Sequence, residues 1–163
     1  MQKFTVVFLL DKNEPTKIVL LKRAMDKKFA PGLYTGIGGH QDEGETIDET
    51  AYRELKEETT IEGVELTKFA RAIFSFPEQE IHYYWGIYDQ ENLPECNEGD
   101  IEWVNANDLL TKEIIPTTYV IIKEWVKRGL VVNKPFTIYM HRKHPLENPS
   151  IEVEVEKMEE GLG

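Results

Sequence analysis

Three glutamates, Glu54, Glu57 and Glu58, stand at positions i, i+3 and i+4 of the run RELKEETT, with Arg53 and Lys56 set among them. On a helix those positions share a face, so three carboxylates can converge on one cation. Ligation by oxygen alone suits Mg²⁺, with Mn²⁺ as the alternative, whereas zinc usually recruits histidine or cysteine. Mg²⁺ keeps several waters and is held by a few carboxylates together with substrate phosphates. The chemistry such a cluster offers is therefore work on a phosphorylated small molecule.

The helix that must carry these acids has a clear start, because Thr46 and Glu49 are spaced as a capping box. Its apolar positions Ile47, Ala51 and Leu55 share one stripe, and the pattern runs to about Thr59. At about 100° per residue from Ile47, Leu55 falls near 80° and Glu58 near 20°, inside that stripe, while Glu54 and Glu57 flank it near 340° and 280°. Glu49, Tyr52 and Lys56 take the far side as the solvent face. A solvated helix laced with ion pairs is the plain alternative, and Arg53 with Glu57 at i, i+4 fits it. Two features stay unexplained on that alternative. A carboxylate in a buried stripe must pay for lost hydration or take up a proton. Acids in a last turn also oppose the helix dipole by roughly 0.3–1 kcal/mol each. A bound cation removes both objections.

Around this helix the chain alternates strands and turns. Residues 2 to 10 and 17 to 22 are aliphatic or β-branched and flank Asn13, Glu14 and Pro15, which predicts two strands joined by a turn. The passage 31 to 39 holds Gly32, Gly36, Gly38 and Gly39, a density that implies unusual backbone or close approach to a ligand. Strand-like runs follow at 64 to 76 and 81 to 88, parted by Pro77 to Glu80, and a loop from 92 to 100 leads to a short strand at 101 to 104. Residues 117 to 129 read as a second helix stopped by Gly129. The segments 136 to 140 and 151 to 156 read as a hairpin with a long connection.

Composition narrows the partners. The 163 residues suffice for one domain over 1–163, and 19 Lys and Arg against 30 Asp and Glu give a formal charge of −11. That sign excludes a protein that tracks a nucleic-acid polymer by counterion release, but a small anion remains available through a metal ion. The single cysteine, Cys96, fits a reducing compartment. The run 4 to 10 reads as a strand rather than a signal peptide, and nothing approaches a membrane span. A cytoplasmic protein, monomeric or homodimeric, with no membrane partner is expected.

Read from Gly39, the segment resembles the signature of the Nudix hydrolases: Gly39, Glu45, Arg53-Glu54, Leu55, Glu57-Glu58 and Ile61 fall at its fixed positions, with Thr60 where it has glycine. The order of elements is similar to that family's as well, which implies an α+β fold: a Nudix-type α/β/α sandwich with a mixed sheet, a glycine loop and a catalytic helix. The stretch FAPGLYTGIGGHQDEGET and the C-terminal hairpin resemble the oxidised-purine nucleoside triphosphatases, the 8-oxo-dGTP diphosphatase branch. The resemblance implies Glu54, Glu57 and Glu58 as metal ligands and the Gly38 carbonyl as a further contact. It also implies Glu98, five residues before Trp103, as a completing carboxylate; on its own Glu98 reads as an ordinary loop acid. Arg53 is implied to orient the glutamates and Glu45 to support the loop. At position 60 glycine would take a left-handed cap that threonine adopts only at a cost, so Gly63 is the expected end of the turn.

The implied activity is Mg²⁺-dependent cleavage of a nucleoside triphosphate, with 8-oxo-dGTP the candidate, to monophosphate and pyrophosphate. Glu57, Glu58 and Glu98 are candidates to take the proton of the attacking water. Arg23, Thr35 and Gly39 are expected to bind the substrate. Thr35 and the Pro116-Thr117-Thr118 region stand where, in the mammalian enzymes of this branch, an asparagine and an acidic pair read the base. Phe74, Phe76, Tyr83, Tyr84 and Trp85 offer stacking surfaces but are expected in the core, and His40 as a solvated loop residue. Lys22, beside Arg23, offers a second cation to a triphosphate, with an exposed strand end as the alternative. A Nudix hydrolase of a nucleotide sugar or dinucleotide is the competing activity. A non-catalytic nucleotide-binding module is the competing class.

Overall fold

The computed structural model describes residues 1–75, 77–109, 112–143 and 152–163. Strand β1 (Gln2–Asp11) carries the run Val7 to Leu10, every residue of it fully buried. A strand buried on both faces belongs at the centre of a sheet covered on both sides, and β1 takes that place. Its parallel partner is β6 (Glu78–Tyr88), in register from Gln2 opposite Gln79 to Asp11 opposite Tyr88. Its other edge is shared. β4 (Ile37–His40) pairs antiparallel with Phe4 to Val7, and β2 (Lys17–Arg23) joins at Leu10 opposite Ile18.

β2 pairs antiparallel with both β3 (Tyr34–Thr35), at Leu21 and Lys22, and β7 (Gly99–Asn105), along Lys17 to Arg23. On the far side, β5 (Thr67–Ser75) pairs antiparallel with β6, then β8 (Phe136–Arg142) parallel with β5, and β9 (Val153–Glu160) antiparallel with β8. Among the described residues this is one mixed nine-stranded sheet. Helix α1 (Ile47–Thr59) covers one face and α2 (Pro116–Arg128) the other. The alternation along β1 divides the core accordingly: Val7 and Leu9 join Ala51 and Leu55 of α1, while Phe8 and Leu10 join Ile121, Ile122 and Trp125 of α2. The α+β sandwich with a mixed sheet is the architecture observed, and no helix among the described residues is long and apolar enough to cross a membrane.

Several boundaries differ from those predicted. The glycine passage is not simply a loop, since β3 and β4 lie within it and hold it against β1 and β2. The strand expected from 64 begins at Thr67. Residues 78 to 80, predicted as connection, are already strand, because Glu78 pairs with Ser75 of β5 while Gln79 and Glu80 pair with β1. β7 and β8 extend past the predicted 101 to 104 and 136 to 140, and β9 runs beyond 156. Position 76 and the start of the predicted strand at 151 lie outside the described residues.

Candidate functional site

Helix α1 opens with the predicted capping box: the Glu49 amide donates to Thr46 Oγ1 at 3.1 Å, and the Thr46 amide to Glu49 Oε1 at 2.9 Å. Thr50, Ala51, Leu55 and Glu58 form its buried side, with Tyr52 and Lys56 exposed opposite, as the wheel requires. Its C-cap corrects the prediction. Thr60 itself takes the left-handed conformation, at φ 66°, and its amide bonds the Lys56 carbonyl at 2.8 Å, while Gly63 turns the chain only afterwards. The neighbouring Thr59 hydroxyl donates to the Leu55 carbonyl at 2.6 Å and accepts from the Ile61 amide at 3.2 Å, which clamps the backbone on both sides of the strained residue.

Arg53 organises the acids. Its Nε and Nη2 meet the two oxygens of Glu45 at 3.0 and 2.7 Å, and Nη1 reaches Glu54 and Glu57, both at 3.0 Å. Nη2 also donates to the His40 carbonyl at 3.0 Å, so one guanidinium ties the helix to the glycine strand β4. Glu45 accepts further from the Asp42 amide and the Thr50 hydroxyl. These donors, Arg53 first, pull its pKa down from 4.5 to about 2. Glu54 moves the other way: burial raises it, against the pull of Arg53.

Gly39 stands directly against Glu54, since a Cβ there would lie 2.5 Å from the carboxylate carbon. At Gly38 a Cβ would fall 1.8 Å from the Thr5 carbonyl oxygen. The two glycines thus let β4 pass between β1 and the acids with no side chain intervening.

Glu58 is 8% exposed, and its Oε2 is buried with no hydrogen-bond partner. Burial, then the charges of Glu54 and Glu98, push its pKa up from 4.5 to about 8, against the Gly38 backbone hydrogen bond and Lys27. Glu98 reaches this neighbourhood by a route the sequence did not reveal. Asn97 caps the end of α1, its amide donating to the Glu58 carbonyl and its Nδ2 to the Glu57 carbonyl, both at 3.1 Å. Glu98 follows directly and pairs with Lys27.

Among the described residues no three acidic, histidine or cysteine side chains close into a ready cluster around one point. Arg53 draws Glu54 and Glu57 while Lys27 draws Glu98. The donor set nevertheless fits a hard divalent cation. It is all oxygen, it is crowded with like charges, and it contains one buried carboxylate oxygen lacking a partner.

Beside the acids, a cleft of about 420 Å³ runs from Gly38, Gly39 and His40 to Arg142 on β8. Arg23 and Thr35 line it, whereas Lys22 does not. Arg23 donates Nε to the Phe29 carbonyl at 2.8 Å and lies over the Phe29 ring. Thr35 Oγ1 and Thr118 Oγ1 are 3.0 Å apart, so β3 and the start of α2 meet here as a hydroxyl pair. Phe74, Tyr83 and Tyr84 are core residues and Trp85 is partly buried, while Phe76 lies outside the described residues. His40 is exposed, edge-on to Phe4. Sequence reasoning missed Asn97, Lys27, Gln79 and Arg142, whose positions depend on loop and strand contacts far apart in the chain.

Known proteins agree with this architecture. The family model described as "NUDIX domain" matches residues 2–125. The chain is similar to the 8-oxo-dGTP diphosphatase of Escherichia coli (strain K12), 28% identical over 124 residues that span 75% of this chain and 95% of that protein. It is also similar to the oxidized purine nucleoside triphosphate hydrolase of Mus musculus, 29% identical over 118 residues, 69% of this chain and 72% of that protein. The crystal structure of the MutT protein from Bacillus halodurans shares the fold, with a TM-score of 0.67 at 20% identity, covering 98% of this chain and 97% of that one. With the matched region taking in the acidic helix, the glycine strand and the Glu98 loop, the chain belongs to the Nudix hydrolase family.

Proposed function

We propose that the protein is a Mg²⁺-dependent pyrophosphohydrolase that cleaves a nucleoside triphosphate, with 8-oxo-dGTP the candidate, to monophosphate and pyrophosphate. The observation that carries this is the junction at Gly39, where Glu54 of the acidic helix stands against one end of a nucleotide-sized cleft. Glu54, Glu57, Glu58 and Glu98, with the Gly38 carbonyl, would hold the cation. When bound, the metal supplies charge neutralisation for the diphosphate and acidifies a water.

The rest of the chemistry belongs to the chain. Arg53 holds Glu54 and Glu57 at fixed angles, anchored in turn by Glu45. Glu57, whose side chain is 60% exposed, is reachable by solvent and can take the proton of a water, as can Glu58 or Glu98. Arg23 supplies positive charge at the cleft wall, and Gly39 lets the phosphates approach the backbone. The Thr35 and Thr118 hydroxyls offer the base a surface without formal charge.

The test is a panel of nucleoside triphosphates, oxidised nucleotides, nucleotide sugars and dinucleotides, assayed with and without Mg²⁺. Metal-dependent release of pyrophosphate from a triphosphate is expected, fastest with 8-oxo-dGTP. Equal turnover of 8-oxo-dGTP and dGTP would remove the oxidised-base preference, and no metal-dependent product from any compound would replace hydrolysis with binding.

A further inference from the structure

We propose that Arg142 selects the base in this cleft, favouring bases whose edge presents a carbonyl oxygen over those that present an amino group at the same place. The proposal deepens the nucleotide reading above and rests on it.

The sheet register delivers Arg142 to the cleft. On β6, Gln79, Ile81 and Tyr83 lie opposite Phe74, Ala72 and Ala70 of β5. Ala72 and Phe74 lie in turn opposite Ile138 and Met140 of β8. Two residues further along β8, Arg142 emerges on that same face, just past the last β5–β8 pair. Ala72, Phe74, Tyr83, Ile138 and Met140 are all parts of the α2-side core, so Arg142 is the point at which that core opens into a polar wall.

Its side chain is held by two contacts. The guanidinium lies 4.2 Å from the centre of the Phe74 ring, and Nη2 donates to Gln79 Oε1. Gln79 is fixed through its Nε2, which donates to Gln2 Oε1 at 3.0 Å. The ring contact and the Gln79 hydrogen bond restrain the group from two sides, so its remaining N–H groups are positioned before a ligand arrives. Among the described residues no carboxylate pairs with Arg142, although the chain has 30 Asp and Glu. Arg53 and Arg128, by contrast, direct their forks at glutamates. A partly buried guanidinium without an anion calls for acceptor atoms from elsewhere.

The two walls of the cleft differ in what they can distinguish. Hydroxyls such as Thr35 and Thr118 donate or accept, and so tolerate either kind of base edge. Arginine can only donate. It meets the adjacent acceptors of a guanine-type edge with two N–H groups, whereas the amino group of adenine sets donor against donor; such pairs discriminate by roughly tenfold to a hundredfold. Arg142 also lies beyond residue 125, where the family match ends. Base choice in this chain is thereby supplied by a segment separate from the acidic helix.

The experiment compares kcat/KM for dGTP with dATP, and for dUTP with dCTP, in the wild type, Arg142→Met and Arg142→Lys. Alongside, dGMP and dAMP binding is measured by calorimetry without metal. The wild type is expected to favour the carbonyl base by roughly tenfold or more in each pair. In Arg142→Met the ratio should fall to within about threefold, through KM rather than kcat, with Arg142→Lys intermediate because it keeps the charge and loses the fork. Arg142→Lys also decides the matter if the methionine variant does not fold. A wild type without the preference, or ratios unchanged in the variants, overturns the proposal while leaving hydrolysis intact. If no triphosphate is hydrolysed, the catalytic reading fails and binding decides: a dGMP preference lost in the variants supports Arg142 as selector, and equal or absent binding overturns it.

Discussion

Arg53 and Glu45 are joined by two parallel hydrogen bonds, Nε to Oε2 at 3.0 Å and Nη2 to Oε1 at 2.7 Å, across the start of α1. This fork leaves Nη1 free to hold Glu54 and Glu57 together. A lysine at position 53 keeps the charge but cannot make both contacts at once. Arg53→Lys is expected to lower Mg²⁺-dependent turnover by about 10–100-fold, the usual cost of losing a partner that orients metal ligands. Circular dichroism should show the fold retained. Turnover near that of the wild type would count against Arg53 as the positioning residue.

The same pair governs behaviour in acid. The pKa of Glu45 is lowered from 4.5 to about 2, so its stabilising effect is complete above pH 4.5 and disappears as pH falls through 2. Melting curves recorded between pH 6 and 2 should show a decline that Glu45→Gln flattens. Parallel pH profiles for the two proteins would place the acid sensitivity elsewhere.

Glu58 has the opposite sign. With its pKa raised from 4.5 to about 8, the folded protein keeps a proton that the unfolded chain has already lost. Its contribution is most favourable below pH 4.5 and falls away as pH rises through 8. Without metal at pH 9, Glu58→Gln should therefore be more stable than the wild type, by on the order of 1–3 kcal/mol. Added Mg²⁺ should raise the melting temperature of the wild type and do little for the variant. Equal stabilisation of both by Mg²⁺ would argue that Glu58 does not hold it.

Thr60 offers a test that leaves the chemistry aside. A β-branched residue at φ 66° is disfavoured by about 1–2 kcal/mol, a strain that glycine does not carry. Thr60→Gly should unfold a few degrees higher with unchanged activity. A lower melting temperature would show that the threonine side chain contributes more than its backbone costs.

The helix and its acids could be read from the chain because their determinants are local. The capping box and the Ile47, Ala51, Leu55 stripe lie within one short stretch, and the same stripe predicts Glu58 as buried. Thr60 departs from its propensity because propensity describes what a residue prefers, whereas the Thr59 hydroxyl and the loop beyond it decide what it does here. Arg142 and Lys27 were not legible at all. Their roles depend on β8 reaching β5 and on the residue 27 loop meeting the residue 98 loop, neither of which leaves a periodic trace.

The central strand is parallel to β6, not to anything near it in the chain, and this sets an order on synthesis. β1 precedes its partner by many residues, so its ladder cannot close until Tyr88 has been made, and β5 waits for β8 to cover its outer edge. A ribosome-bound chain therefore carries its fully buried Val7–Leu10 run with an open edge until β6 has been made. Covering that edge while the chain is still being made is a demand separate from the stability of the folded protein.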